Sequence, residues 1–306
     1  MKPFLMALAI LICWNGPVLS QVTIRADITY DSIIVDTAIK STAVHFENLA
    51  GAAKHDSLTI YLVNSDDAFD SLVGSAMPDW GAGVAIPHRR IIVIKSPSYF
   101  PGEKSLYELT VHEYAHILLS RRVGHRQLPR WINEGMAMYL SAEWGWSDNL
   151  SMSWASVMGW TIPLRQIEKL NRFSPGKAET GYAESYLAFK YFLDTYGKSS
   201  LVIFIDSIKS GRSYDDAFID AIGANYFGFE KEFSEFLATR YNLISLIFNS
   251  NLLWLILAAI IVIGFIISRI KRKSRMEKLE DYDRLHSSDF DYGDEAEKPH
   301  EDNPWD

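Results

Sequence analysis

The 306-residue sequence predicts an α+β protein: a small mixed sheet with an edge strand, then a helical half, then one C-terminal transmembrane helix. Three observations carry this. Short alternating or apolar runs bounded by turn residues stop after Pro101-Gly102. Beyond that point apolar residues recur at helical spacing. Near the C-terminus, residues 251–268 form eighteen consecutive positions without a charge.

The first twenty residues (1–20) read as a secretory signal rather than as fold. Lys2 gives a basic start, and FLMALAILICW is an apolar stretch too short for an ordinary span. Val18 and Ser20 put small side chains at −3 and −1 of a cleavage site before Gln21. Cys13 is the single cysteine and leaves with that segment, so the mature chain has no disulfide and no thiolate ligand. An exported domain held together by its core alone favours a bacterial periplasmic setting.

VTIRADITY (22–30) alternates like a strand. DSIIVDTAIKSTAVHFENLAG follows with helical spacing, Asp31 and Ser32 as cap candidates, and a stop at Gly51. SLTIYLVN (57–64) is a second strand and SDDAFDSLVG a short capped helix ending at Gly74. GAGVAI and RRIIVIK form a hairpin around Pro87. Helical patterns then occupy 104–122, 130–142, 151–159, 163–171, 178–196, 199–210, 213–222 and 227–242.

At about 1.5 Å per residue, NLLWLILAAIIVIGFIIS spans a hydrocarbon core. RIKRKSR follows at once, and basic flanks stay cytoplasmic, so the preceding domain faces out. Beyond Met276, twelve acids against three Lys or Arg predict a solvated, disordered tail, whose cytoplasmic partner the sequence does not identify. The expected organisation is a signal (1–20), an extracytoplasmic domain (21–243), a span (249–268) and a basic then acidic tail (269–306). A formal charge of −8 argues against nucleic acid as a partner, and the sequence carries no Gly-rich phosphate loop or nucleic-acid motif.

LTVHEYAHILLS (109–120) carries the chemistry. On a helix, residues four apart share a face, so His112 and His116 can hold one metal ion through neutral imidazole nitrogens. Glu113, one step round, lies where a carboxylate can take a proton from an activated water. A catalytic zinc site needs a third ligand, and Glu134 in LPRWINEGMAMYLS (128–141) supplies it, eighteen positions after His116. Gly135 suggests a close approach of this second helix to the first. His125 is a competing ligand by position. The three-histidine form of the motif is excluded, because Leu119 and Arg122 stand where Gly and His are required. Glu108, one turn before His112, shares its face and reads as supporting or solvated. Asn133 either orients the site or caps a helix. EWGWSDNLSMSWASVMGW (143–160) either lines a cleft, packs in the core or forms a membrane-proximal surface.

VHEYAH with WINEGMA resembles the gluzincin zinc metallopeptidases, and most closely the peptidase MA-like domains of exported and membrane proteins. The resemblance covers roughly residues 55–200. It implies an enzyme that cleaves peptide bonds with one Zn2+ held by His112, His116 and Glu134, with Glu113 as general base. It also implies a tyrosine early in a later helix as oxyanion donor, which Tyr182 matches and Tyr186 rivals. GAGVA (81–85) lies where the aminopeptidase branch carries G-A-M-E-N, with Val84 in place of the amine-binding Glu. That departure argues for an endopeptidase that takes a peptide or unfolded protein segment on an edge strand. The alternative is an inactive, membrane-tethered peptide-binding or sensor protein of the same fold.

Overall fold

A computed structural model describes residues 9–11, 22–25, 29–54, 56–74, 81–97, 99–102, 104–242 and 252–285. These separate into two compact units, Met1–Ser250 and Asn251–Asp306.

In the first unit, β1 (Ala9–Leu11) runs antiparallel to β2 (Val22–Arg25). The rest of the expected signal lies outside the described residues. β2 is parallel to β3 (Leu58–Val63), which is parallel to β5 (Ile91–Lys95). β4 (Gly83–Ile86) pairs antiparallel with β5, giving the order β1-β2-β3-β5-β4. The hairpin around Pro87 is as the sequence predicts, closed by a 3-10 turn over Pro87–Arg89. All five residues of β5 are buried, which is why RRIIVIK reads as a continuous apolar run. β4 is left at the edge with every residue half-buried.

The strand expected over 22–30 is shorter, because α1 (Thr29–Ala50) already begins at Thr29. Asp31 and Ser32 lie inside its first turn rather than at its cap. α2 (Asp66–Val73) is capped by Ser65, whose side chain accepts from Ala68 N at 3.2 Å. Past Pro101 the fold is helical: α3 (Leu106–Val123), α4 (Arg130–Ser141), α5 (Trp146–Met158), α6 (Pro175–Lys209), α7 (Tyr214–Ile222) and α8 (Tyr226–Arg240). The segment expected as an α-helix at 163–171 is 3-10 helix over Leu164–Arg172. Leu164, Ile167 and Leu170 recur every third residue and all are buried, which suits that tighter coil. The two helices expected at 178–196 and 199–210 abut as α6, with the break at Gly197 (φ 79°, ψ 173°).

The core joins α1 and α3 to the sheet, and α4 to both α3 and α6. Trp131, fully buried on α4, stacks on Phe229 at 5.3 Å and donates its indole N–H to the Tyr226 hydroxyl at 2.9 Å. Gly135 does permit a close helix approach, but to α6 and not to α3. A Cβ there would sit 2.2 Å from the Ser185 carbonyl oxygen and 2.6 Å from Phe189 Cβ. The reason is angular: Glu134 turns towards α3, so the next residue, about 100° round, turns towards α6.

The described part of the second unit is one helix, α9 (Leu252–Leu285). Its stretch Trp254–Tyr282 is long and apolar enough to cross a membrane, by length and composition. The helix continues beyond RIKRKSR into the acidic segment expected to be unstructured, where Arg284 and Asp281 lie 3.8 Å apart. The remaining tail, 286–306, lies outside the described residues.

Candidate metal centre

α3 positions the two histidines. Ser105 caps it by accepting from Glu108 N at 3.2 Å, and Glu108 Oε2 accepts in return from Ser105 N at 2.7 Å. Glu108 is therefore a capping residue. The i, i+4 spacing brings the rings of His112 and His116 to 4.9 Å between centroids, at 79° to one another. α4 then delivers Glu134, whose Oε2 lies 3.7 Å from His112 Nε2 and 3.6 Å from His116 Nε2. Those distances are too long for hydrogen bonds. They match the spacing of donors around a tetrahedral ion, about 3.4 Å apart for bonds near 2.1 Å. Among the described residues His112, His116 and Glu134 form a cluster that fits a metal ion, their donor atoms all within 4.8 Å of one another. His125 is exposed and lies outside that cluster.

The outer nitrogens explain why both Nε2 atoms face inward. His112 Nδ1 lies 2.8 Å from Glu143 Oε1, and His116 Nδ1 lies 3.1 Å from Asn133 Oδ1. Each acceptor fixes a ring and its tautomer, as ligating histidines require. Asn133 thus stands in the orienting position, and Glu143 is the partner of His112 that sequence reasoning missed. It sits just past α4, after Ala142 in the left-handed conformation (φ 57°). Lys104 at 2.5 Å and the Ser141 hydroxyl at 2.7 Å hold its two oxygens. The available signal was an acid one residue beyond a helix end, which no periodicity marks.

Burial opposes a charge on His112, yet Glu143, Glu134 and Glu113 outweigh it and lift its pKa to about 10. Glu134 is held down to about 2. Burial works against that, and His116, His112 and Arg130 overcome it. Arg130 Nε lies 2.8 Å from Glu134 Oε1, leaving Oε2 turned to the histidines. Glu113 is raised, chiefly by burial, with the two histidines opposing and Glu134 and Glu143 assisting.

These residues line one cleft of about 1270 Å³, together with β4, Glu143, Trp144 and Tyr182. β4 is its edge-strand wall, and it passes close to the base, since a Cβ at Gly83 would crowd Glu113 Cγ and Oε1 at 3.1 Å. Tyr182 neighbours Arg130, Glu134 and Glu113, and burial raises its phenol above the usual range. Tyr186, its rival, instead stacks on Trp144 at 4.6 Å.

An α+β domain with two histidines from one helix and a glutamate from the next, under an edge strand, defines a metallopeptidase-like protein. The sequence profile of the peptidase MA superfamily matches residues 38–239, two thirds of the chain, and the chain belongs to that superfamily. The match extends beyond the 55–200 expected from the motifs, taking in the second half of α1 and reaching α8. No curated protein is detectably similar to the chain.

Proposed function

We propose that the protein is a membrane-anchored zinc endopeptidase whose catalytic domain is exported and whose C-terminal end stays in the cytoplasm. The observation that carries this reading is the convergence of His112 Nε2, His116 Nε2 and Glu134 Oε2, with Glu113 beside them and no fourth side chain in the group among the described residues. The leader-like first twenty residues and the basic run that follows the apolar stretch of α9 support the orientation, with the domain in a bacterial periplasm.

His112, His116 and Glu134 would hold the zinc. When bound, it would supply Lewis acidity that brings the pKa of water towards ~7 and polarises the scissile carbonyl. β4 offers the backbone groups of an edge strand to an extended peptide or unfolded segment, which pairs with it and leaves its carbonyl over the site. Glu113 accepts a proton from the attacking water and hands it to the leaving amine nitrogen. Its raised pKa suits a base that must also give the proton back. Tyr182 donates its hydroxyl hydrogen to the carbonyl oxygen as negative charge develops there. Arg130 keeps Glu134 ionised and single-edged.

The test is Glu113→Gln in the full chain on an unfolded protein substrate. Cleavage should fall by at least ~10³-fold while bound zinc stays unchanged by mass spectrometry. Equal cleavage by variant and wild type would overturn the mechanism.

A further inference from the structure

We propose that the charge-free face of α5, with the turn after it, docks on the surface of the bilayer that α9 enters; this rests on reading α9 as a membrane span. From Asn149 to Leu164, sixteen consecutive residues carry neither a charge nor a histidine. The core does not consume them all. Met152 and Ala155 are buried on one face of α5, whereas Trp154, Val157, Met158 and Trp160 are 44, 39, 48 and 67% exposed. A helix turned to water would carry charge on its outer side. This one presents an indole, a thioether and an isopropyl group, the turn after it adds a second indole, and indoles settle at the headgroup level of a bilayer.

The path of the chain names the occupant. α5 packs against α8, and α8 ends at Arg240. Leu252, where α9 opens, follows twelve residues later, so the tether reaches at most about 40 Å even if fully extended. A tether of that length holds the bilayer at high effective concentration around the domain, and any soluble partner competes with that surface. The patch carries no Lys or Arg, so zwitterionic and anionic lipid should serve equally. Trp144 lines the cleft immediately before α5 and stacks on Tyr186, so α5 itself starts from the wall of the substrate cleft.

The test uses the full chain in zwitterionic liposomes whose lipids carry bromines near the headgroup end of the acyl chains. A Trp254→Phe background removes the indole of α9. Fluorescence should be quenched in that background. The pair Trp154→Ser and Trp160→Ser should lose that quenching, with no change in the melting temperature. Trp160→Ser alone, at the most exposed position, should lose part of it, and guards against a fold effect of the pair. Quenching that is unchanged in both variants overturns docking while leaving the span reading intact. Loss of the chain from the liposomes on alkaline washing overturns both. Quenching seen only when two chains share a liposome would assign the patch to a second copy and overturn docking on lipid.

Discussion

Two helices meet at the site, and each turns one buried carboxylate towards the same pair of histidines. On α3, Glu113 is raised, with burial the largest cause. On α4, Glu134 is lowered to about 2 although burial pushes it the other way. The difference comes from neighbours. Glu134 has Arg130 at 2.8 Å, one helical turn before it, in addition to both histidines. Glu113 has the histidines but also faces the charges of Glu134 and Glu143. Where environments drive two carboxylates of one site apart, their roles separate: the one held ionised suits a metal ligand, and the one whose pKa is raised suits proton transfer.

The sharpest way to break this comparison is to neutralise each carboxylate in turn. Glu134→Gln removes the anionic ligand and should weaken zinc binding by more than about 100-fold, taking turnover with it. Competition against a chromophoric chelator reads the affinity. Glu113→Gln should leave that affinity unchanged. If both variants retained zinc equally, the assignment of Glu134 as ligand would be wrong.

A smaller effect sharpens the same contrast behind the histidines. His112 leans on a charged acceptor, Glu143, braced by Lys104 and Ser141, whereas His116 leans on the neutral amide of Asn133. Glu143→Gln keeps an acceptor but removes the charge that is the main force raising His112. Zinc affinity should fall by about 10–100-fold, the range for lost support behind a ligand. Metal-free protein should also hold a proton on His112 at neutral pH and release it on zinc uptake. Calorimetry in buffers of different ionisation heat reads that release, and it should shrink in Glu143→Gln. An unchanged proton count would show that Glu143 does not set the charge of His112.

How much of this was legible in the sequence follows from the same physics. His112, Glu113, His116 and Glu134 could be found because helical periodicity converts a spacing of four into a shared face and because an acid in the first turns of an apolar helix is conspicuous. The edge position of GAGVA came from its likeness to the aminopeptidase strand, since nothing in a short run of small residues says which side of it stays unpaired. Glu143 and Lys104 were hidden because both lie in connections, where spacing carries no geometry, and their contact joins positions 39 residues apart. The direction of Gly135 was misjudged because a close approach names no partner until a third helix is placed. The 3-10 helix at Leu164–Arg172 was hidden because periods of three and 3.6 differ little over nine residues.

One more carboxylate tests whether burial alone, without charged neighbours, drives a glutamate upward as it does Glu113. Glu184 on α6 is fully buried, and its Oε1 accepts from Ile162 N at 2.7 Å while Oε2 has no hydrogen-bond partner among the described residues. Burial raises its pKa to about 8, with the Ile162 N–H only partly offsetting. A folded pKa above the unfolded value of 4.5 means the folded state favours the protonated form. Its contribution is therefore fully present below about 4.5, declines as pH rises, and is gone once pH passes about 8. Glu184→Gln keeps an acceptor for Ile162 and cannot ionise. Its melting temperature should match or fall slightly below wild type at pH 5 and exceed it at pH 8, with the gap opening between those values. A gap that stays constant with pH would mean that Glu184 does not titrate in that window. The rise of Glu113 would then have to be credited to its acidic neighbours rather than to burial.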